Sequence, residues 1–477
     1  MYCSGMVCKP FTHGFPRANI HELLAPDLLH QIIKGTFKDH LVTWVINYIQ
    51  HWTGNDSKAL MKVQHISLTD AVFFLPAIVG HIPDQMVRAL SFFMEFCYLV
   101  CQLVLDTNDL ASIDAAIANF HCDHDIFDNV RPDGYSLPRQ HSLVHYTTLI
   151  QEFGAPNGLC SSITESKHIK AVKEPRRRSS HFEALGQMLV TNQRVDKLAA
   201  AHVDFQARGM LRTPLFRPPD PLPTIHEDNN DNDGGDIDEE VDSEVIIAKQ
   251  AIPNVAWSPK AFGASIGVPH LPNLISRFLY EQEHLNKLND PNMNLNLDDI
   301  PLSDCPQYSR KIRPVPSAIA IYYSSSDKSG ICGMHRERIR AVSSWRGGPS
   351  HYDCVFVVHD PDEPGFCGLH VARVHSFFSI QQHKLHYPCA LVSWFSKIGN
   401  NPCSTTGMWI VEPDFDVTRS RAMSVISIDS IYQGAHLIGN AGRHYIPRTL
   451  TFNRSLDAFQ SFYVNKYIDH HAHEIAF

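Results

Sequence analysis

The chain has 477 residues, 44% of them hydrophobic and 19% charged, the values of globular domains with buried cores. No apolar run reaches the roughly 18 residues a membrane helix needs, and Met1-Tyr2-Cys3-Ser4-Gly5 lacks the basic-then-apolar pattern of a secretory signal. The net charge of −9 has one source: segment 227–244 holds ten acidic and no basic residues, so the remainder carries −9 + 10 = +1, and bulk charge neither supports nor excludes a nucleic-acid partner.

Most of residues 1–210 reads as helix. Leu29, Ile33, Phe37, Leu41, Trp44 and Tyr48 form an amphipathic stripe over 27–48, with Pro26 just ahead of it. Further helices are expected over 83–105, where Glu95 and Gln102 interrupt an apolar stretch, and over 109–120. Gly154, Pro156, Asn157 and Gly158 mark a loop, followed by helices over 162–173 and 182–206. Prolines at 214, 218, 219, 221 and 223 lead into the acidic run. This stretch offers too little apolar surface to offset ordering entropy, so 211–245 reads as a disordered linker.

Beyond the linker the pattern changes. After a helical piece over 273–285, short β-rich runs recur at 318–323, 352–358, 369–374, 387–392, 407–411 and 424–428. Such spacing predicts a small antiparallel barrel, with a closing helix over 455–471. The fold class is therefore α+β: a mainly helical half at 1–210, the linker at 211–245, and a β-rich domain at 246–477. Twelve scattered cysteines without a leader point to a reducing compartment and free thiols.

Several segments carry a more specific signal than periodicity. They include His21-Glu-Leu-Leu-Ala-Pro-Asp-Leu-Leu-His30, Lys34-Gly-Thr-Phe-Lys-Asp-His-Leu-Val-Thr-Trp44, and the run from Gly154 through Thr164-Glu-Ser-Lys-His-Ile-Lys170. In the β-rich half, Ser344-Trp-Arg-Gly-Gly-Pro349, Thr406-Gly-Met-Trp409 and Tyr463-Val-Asn-Lys-Tyr467 add to them. Together these resemble the C-terminal portion of Plavaka transposases, fungal transposon-encoded enzymes of the Kyakuja–Dileera–Zisupton DDE group. The resemblance implies an RNase H-like domain of which 1–210 is a remnant, Mg2+, nuclear localisation, and transposon DNA ends as partner. In such chemistry carboxylates from distant chain positions hold two divalent cations that align nucleophile and leaving oxygen.

The family's leading acidic residue lies upstream of everything in this sequence. A family segment is missing between Tyr48 and His51, and 64–74 interrupts what should run from Val63 into Leu75. These departures suggest a truncated gene model and a chain that is catalytically incomplete without a full-length transposase. The alternatives are a non-catalytic DNA- or chromatin-associated binding protein, or a transposon relic.

The resemblance assigns Asp27, His30 and Glu165 to the catalytic site, with Asp27 and Glu165 as metal ligands. Asp27 and Glu165 would equally suit helix first turns, where the dipole favours an acid. Lys167, Lys170 and Lys173 recur at i, i+3 and i+6, and Arg176, Arg177 and Arg178 follow Pro175. This stripe reads as a DNA contact, or else as a solvated face or import signal. His121, His124, His470, His471 and His473 have no Cys-x-x-Cys partner, so zinc is not expected. Cys97 and Cys101 read as core thiols. Trp345, Tyr352, Trp394 and Trp409, with Arg336, Arg338, Arg340 and Arg346 nearby, could form a recognition surface or simply pair within a sheet.

Overall fold

A computed structural model describes residues 27–50, 75–130, 137–159, 168–208, 210, 244–253, 255, 257–288, 300–324, 334–416, 418–444 and 449–476. They fall into two compact units. One takes the described residues of Met1–Phe37 and Pro138–Asn232, the other those of Lys38–Leu137 and Asp233–Phe477. The expected linker, apart from its end, lies outside the described residues.

The expected helix begins at Leu28 and runs as a wide, π-type helix over Leu28–Val42 and then as an α-helix over Thr43–Gln50; its residues to Phe37 belong to the first unit and those from Lys38 to the second. Leu28, Ile32 and Phe37 are buried, and Tyr146, on the helix Tyr146–Phe153, donates its hydroxyl to Gln31 Oε1 at 2.9 Å. The loop expected at 154–158 is in part a helical turn, Pro156–Leu159. The long helix Ala184–Ala207 closes the described part of the first unit.

The second unit holds the helix Asp84–Val100, which starts after Pro83 and packs Phe93 against Phe120 of the helix Thr107–Asp123. It stops short of residue 105, and the next helix starts earlier than expected. The reason is local: the Asp106 carboxylate accepts the N–H groups of Asn108 and Asp109, a capping box that begins a new helix. Arg88 pairs with Asp123 through two bonds of 3.0 Å and ties the two helices together.

The β-rich half contains thirteen described strands: β1 (Glu244–Ile247), β2 (Arg313–Val315), β3 (Ser317–Tyr323), β4 (Met334–Val342), β5 (His351–Tyr352), β6 (Cys354–Val358), β7 (Leu369–Gln382), β8 (Leu385–Lys397), β9 (Ile410–Pro413), β10 (Met423–Ser427), β11 (Ile431–Ala435), β12 (Leu437–Gly439) and β13 (Phe462–Val464). All the pairs are antiparallel. A barrel-like sheet runs β11-β6-β7-β8-β9-β13-β12, with β10 on β8 and β2 on β7, and a second sheet runs β1-β3-β4-β5.

The long β7–β8 hairpin is its spine. Phe377, Ala390 and Val392 face the core shared with the smaller sheet, while Phe378, Ile380 and Leu391 face the helix Leu271–Leu288. The expected strand stopped at Val374, but β7 continues through a bulge at His375 to Gln382. A bulge adds a residue without ending the pairing. The α+β expectation holds. The closing helix expected over 455–471 does not: Phe462, Tyr463 and Val464 are buried and pair with β9 and β12, and the helix that follows is His470–Ile475, capped by Asp469.

Candidate nucleic-acid interface

The basic stripe of the first unit lies on two short helical pieces, Ile169–Lys173 and Glu174–Arg177. Pro175 sits in the first turn of the second piece, where its missing N–H costs no hydrogen bond, so the helix passes the expected end at 173. The turn closes when Arg178 N–H bonds to the carbonyls of Glu174 and Pro175 at 3.2 Å, and Ser179 Oγ–H to Arg176 O at 2.7 Å.

A bond from Asn192 Nδ2 to Ala171 O (2.7 Å) braces the stripe on the long helix. Gln187 holds the connecting turn through Ser180 and Phe182. Lys170, Lys173, Arg176, Arg177 and Arg178 are all exposed. Five cations against the single acid Glu174 give a net +4 over 168–178. Glu165 and Lys167 lie outside the described residues.

Asp27 stands at the start of the Leu28–Val42 helix, its N–H bonded to Gln31 Oε1 at 3.3 Å, with His30 in the first helical turn. Among the described residues no group of three or more His, Cys, Asp or Glu side chains is placed to hold a metal ion. The described part of the expected set is thus Asp27 and the backbone of His30.

In the second unit, β4 carries Arg336, Arg338 and Arg340 on alternate positions. Trp345, in the tight turn that follows, has the Arg346 guanidinium 4.5 Å and that of Arg340 5.4 Å from its ring centre. Its ring also contacts His351, whose Nε2 lies 2.7 Å from Asp353. Trp394 and Trp409, by contrast, belong to the large sheet: Trp394 donates to Ser424 Oγ, and Trp409 is buried against Phe366. Tyr352 and Trp394 pack against the core beneath the smaller sheet, and Trp409 belongs to a different cluster.

A buried polar joint stands apart from the residues singled out in the sequence. Glu95, inside the apolar Asp84–Val100 helix, lies 2.7 Å from Lys466 Nζ and 3.1 Å from His473 Nε2, and accepts the Tyr467 hydroxyl at 3.2 Å. Burial pushes the Glu95 carboxyl up, but the His473 hydrogen bond and the Lys466 charge outweigh it and hold it well below the usual carboxylate range. Burial lowers the Lys466 ammonium, against the pull of Glu95. Ser91 Oγ–H donates to Thr406 O at 2.7 Å, and Tyr98 donates to the Tyr467 carbonyl. His471 stacks on Tyr322 and Tyr432, and His473 hydrogen-bonds Glu95. The available signal was Glu95 itself, an acid in an apolar helix.

Residues 4–45 match the Plavaka transposase family model. The likeness is to the transposase of a transposable element, and the matched segment contains Asp27 and His30. No curated protein matches the chain, and no solved structure matches it. No described helix is long and apolar enough to cross a membrane.

Proposed function

We propose that the chain is a transposon-derived DNA-binding protein that grips duplex DNA through Lys167, Lys170, Lys173, Arg176, Arg177 and Arg178. The observation that supports this most is the exposed run of five described cations, braced on a long helix and opposed by a single acid. Phosphate contacts of this kind supply most non-specific affinity and position a protein on the duplex. The family match at 4–45 supports transposon DNA ends as the target, and the nucleus as the site of action.

In the same reading Asp27, His30 and Glu165 form part of a Mg2+ set in an RNase H-like remnant. Two carboxylates do not complete a two-cation centre. Strand transfer then needs a further acid supplied by a longer transposase, and the chain alone is inactive. An assay with Mg2+ and transposon ends tests this: joined product from the chain alone would refute it.

For DNA binding, the double substitution Lys170→Ala/Arg177→Ala is expected to weaken duplex affinity. It should also reduce the slope of log K against log salt by about 1.8, since each neutralised phosphate contributes about 0.9. Fluorescence anisotropy across a salt series reads both. No duplex binding at low salt, or an unchanged slope in the variant, would overturn the proposal.

A further inference from the structure

The β1-β3-β4-β5 sheet has two unlike faces. Ala318, Ala320, Tyr322, Ile339 and Ala341 are buried in the core. Alternation sends Arg336, Arg338 and Arg340 to the opposite face. There the register sets Ile321, Ile319 and Ser317 of β3 beside them, with Ile246 of β1 next to Ile319. Ile246 is 43% exposed, and Tyr323 at the end of β3 is 55% exposed.

One acid shares this face by register, Glu244 of β1 beside Ile321. Glu337 points to the other side, where its Oε2 accepts Gly434 N–H at 2.8 Å. Asp353 is engaged by Arg340 N–H and His351. No carboxylate among the described residues pairs with Arg336 or Arg338. Arg346, held on Trp345, continues the row beyond the end of β4.

We infer that this face binds a single strand of DNA, with its phosphates along the arginine row and its bases over the Ile319–Ile321–Tyr323 lane. The arginines repeat every second residue, about 7 Å apart, in a straight line. A basic row beside an exposed aromatic ring is the pairing that single strands use, because their base faces are free to stack; the half-buried Ile319 and Ile321 add apolar contact beside Tyr323. A duplex hides its bases and would leave the apolar lane uncovered. The inference shares only the DNA partner with the proposal above and stands on a different unit of the chain.

The test is anisotropy of the full chain with a labelled oligothymidine of about 16 nucleotides and, separately, a duplex. Arg336→Ala/Arg338→Ala is expected to weaken oligothymidine binding about tenfold at low salt and to flatten its salt slope by about 1.4, at about 0.7 per single-strand phosphate. Tyr323→Ala should weaken it about tenfold with the slope unchanged. Arg336→Lys/Arg338→Lys keeps the slope and controls for folding.

Duplex binding should respond to Lys170→Ala/Arg177→Ala and not to the sheet variants. Oligothymidine binding unaffected by the arginine substitutions, equal loss of duplex binding, or tighter binding of oligouridine RNA would each overturn the inference. Loss of duplex binding by the unmodified chain, with oligothymidine binding intact, would sink the earlier proposal alone.

Discussion

At Gly407 the backbone takes φ +66°, and a Cβ there would lie 3.3 Å from Ser91 Oγ and 3.6 Å from Lys466 Nζ. Glycine enters this region freely, whereas other residues pay in strain. The tight Thr406-Gly-Met-Trp409 turn brings the Thr406 carbonyl to the Ser91 hydroxyl and opens room for the Lys466 ammonium. Gly407→Ala is therefore expected to destabilise the protein by about 1–2 kcal/mol. Chemical denaturation should show a lower midpoint with an unchanged slope. A variant as stable as the parent would mean the turn relaxes without disturbing Ser91 or Lys466.

At the scale of elements, the Glu95 joint ties the Asp84–Val100 helix to the segment just after β13 and to the His470–Ile475 helix. Lys466 is only 4% exposed, so removing its partner leaves a buried charge unanswered. Glu95→Leu should cost about 3–5 kcal/mol. Adding Lys466→Met should restore much of that, because breaking a buried pair costs more than replacing it. A double variant no more stable than Glu95→Leu would show that His473 and Tyr467, not the ion pair, carry the joint.

Part of this architecture was legible in the sequence. The helix starts after Pro26 and Pro83, and the β-rich character beyond the acidic run, follow from local pattern. The joint was not, since Tyr467 and His473 lie 372 and 378 residues from Glu95 in sequence, and nothing local encodes so long a contact. β4 is not legible in the sequence because Arg336, Glu337, Arg338 and Arg340 mask its period-2 alternation, nor is β13, because Phe462, Tyr463 and Val464 are buried on both faces and show none. Of the candidate site, spacing placed Lys170 and Lys173 on one helical stretch that Arg176 and Arg177 continue, and Lys167 lies outside the described residues. The acidic members depended on resemblance, and Glu165 lies outside the described residues.

For the whole molecule, one buried and two half-buried histidines set a pH limit. Burial lowers His375, His436 and His471 each to about 4, helped at His375 by the charges of Arg373 and Arg421 and at His471 by His335. Unfolded, each would titrate near 6.5. The folded chain holds these protons more weakly than the unfolded chain, so unfolding takes up protons in acid. Stability is full above about pH 6.5, falls as pH drops, and stops falling from this source below about pH 4. Each histidine contributes on the order of 3 kcal/mol across that window. Glu95 acts elsewhere: its depressed pKa gives stability that is lost only as pH falls below the ordinary carboxylate value of about 4.3. Acid unfolding followed by circular dichroism should therefore have its midpoint between about pH 4 and 6.5. His436 is a suitable site for the decisive variant, because Asn465 Nδ2 donates to its Nδ1 at 3.0 Å and a glutamine oxygen could accept the same bond without titrating. His436→Gln should move the midpoint to lower pH. If it leaves the midpoint in place, the acid limit belongs to the carboxylates instead.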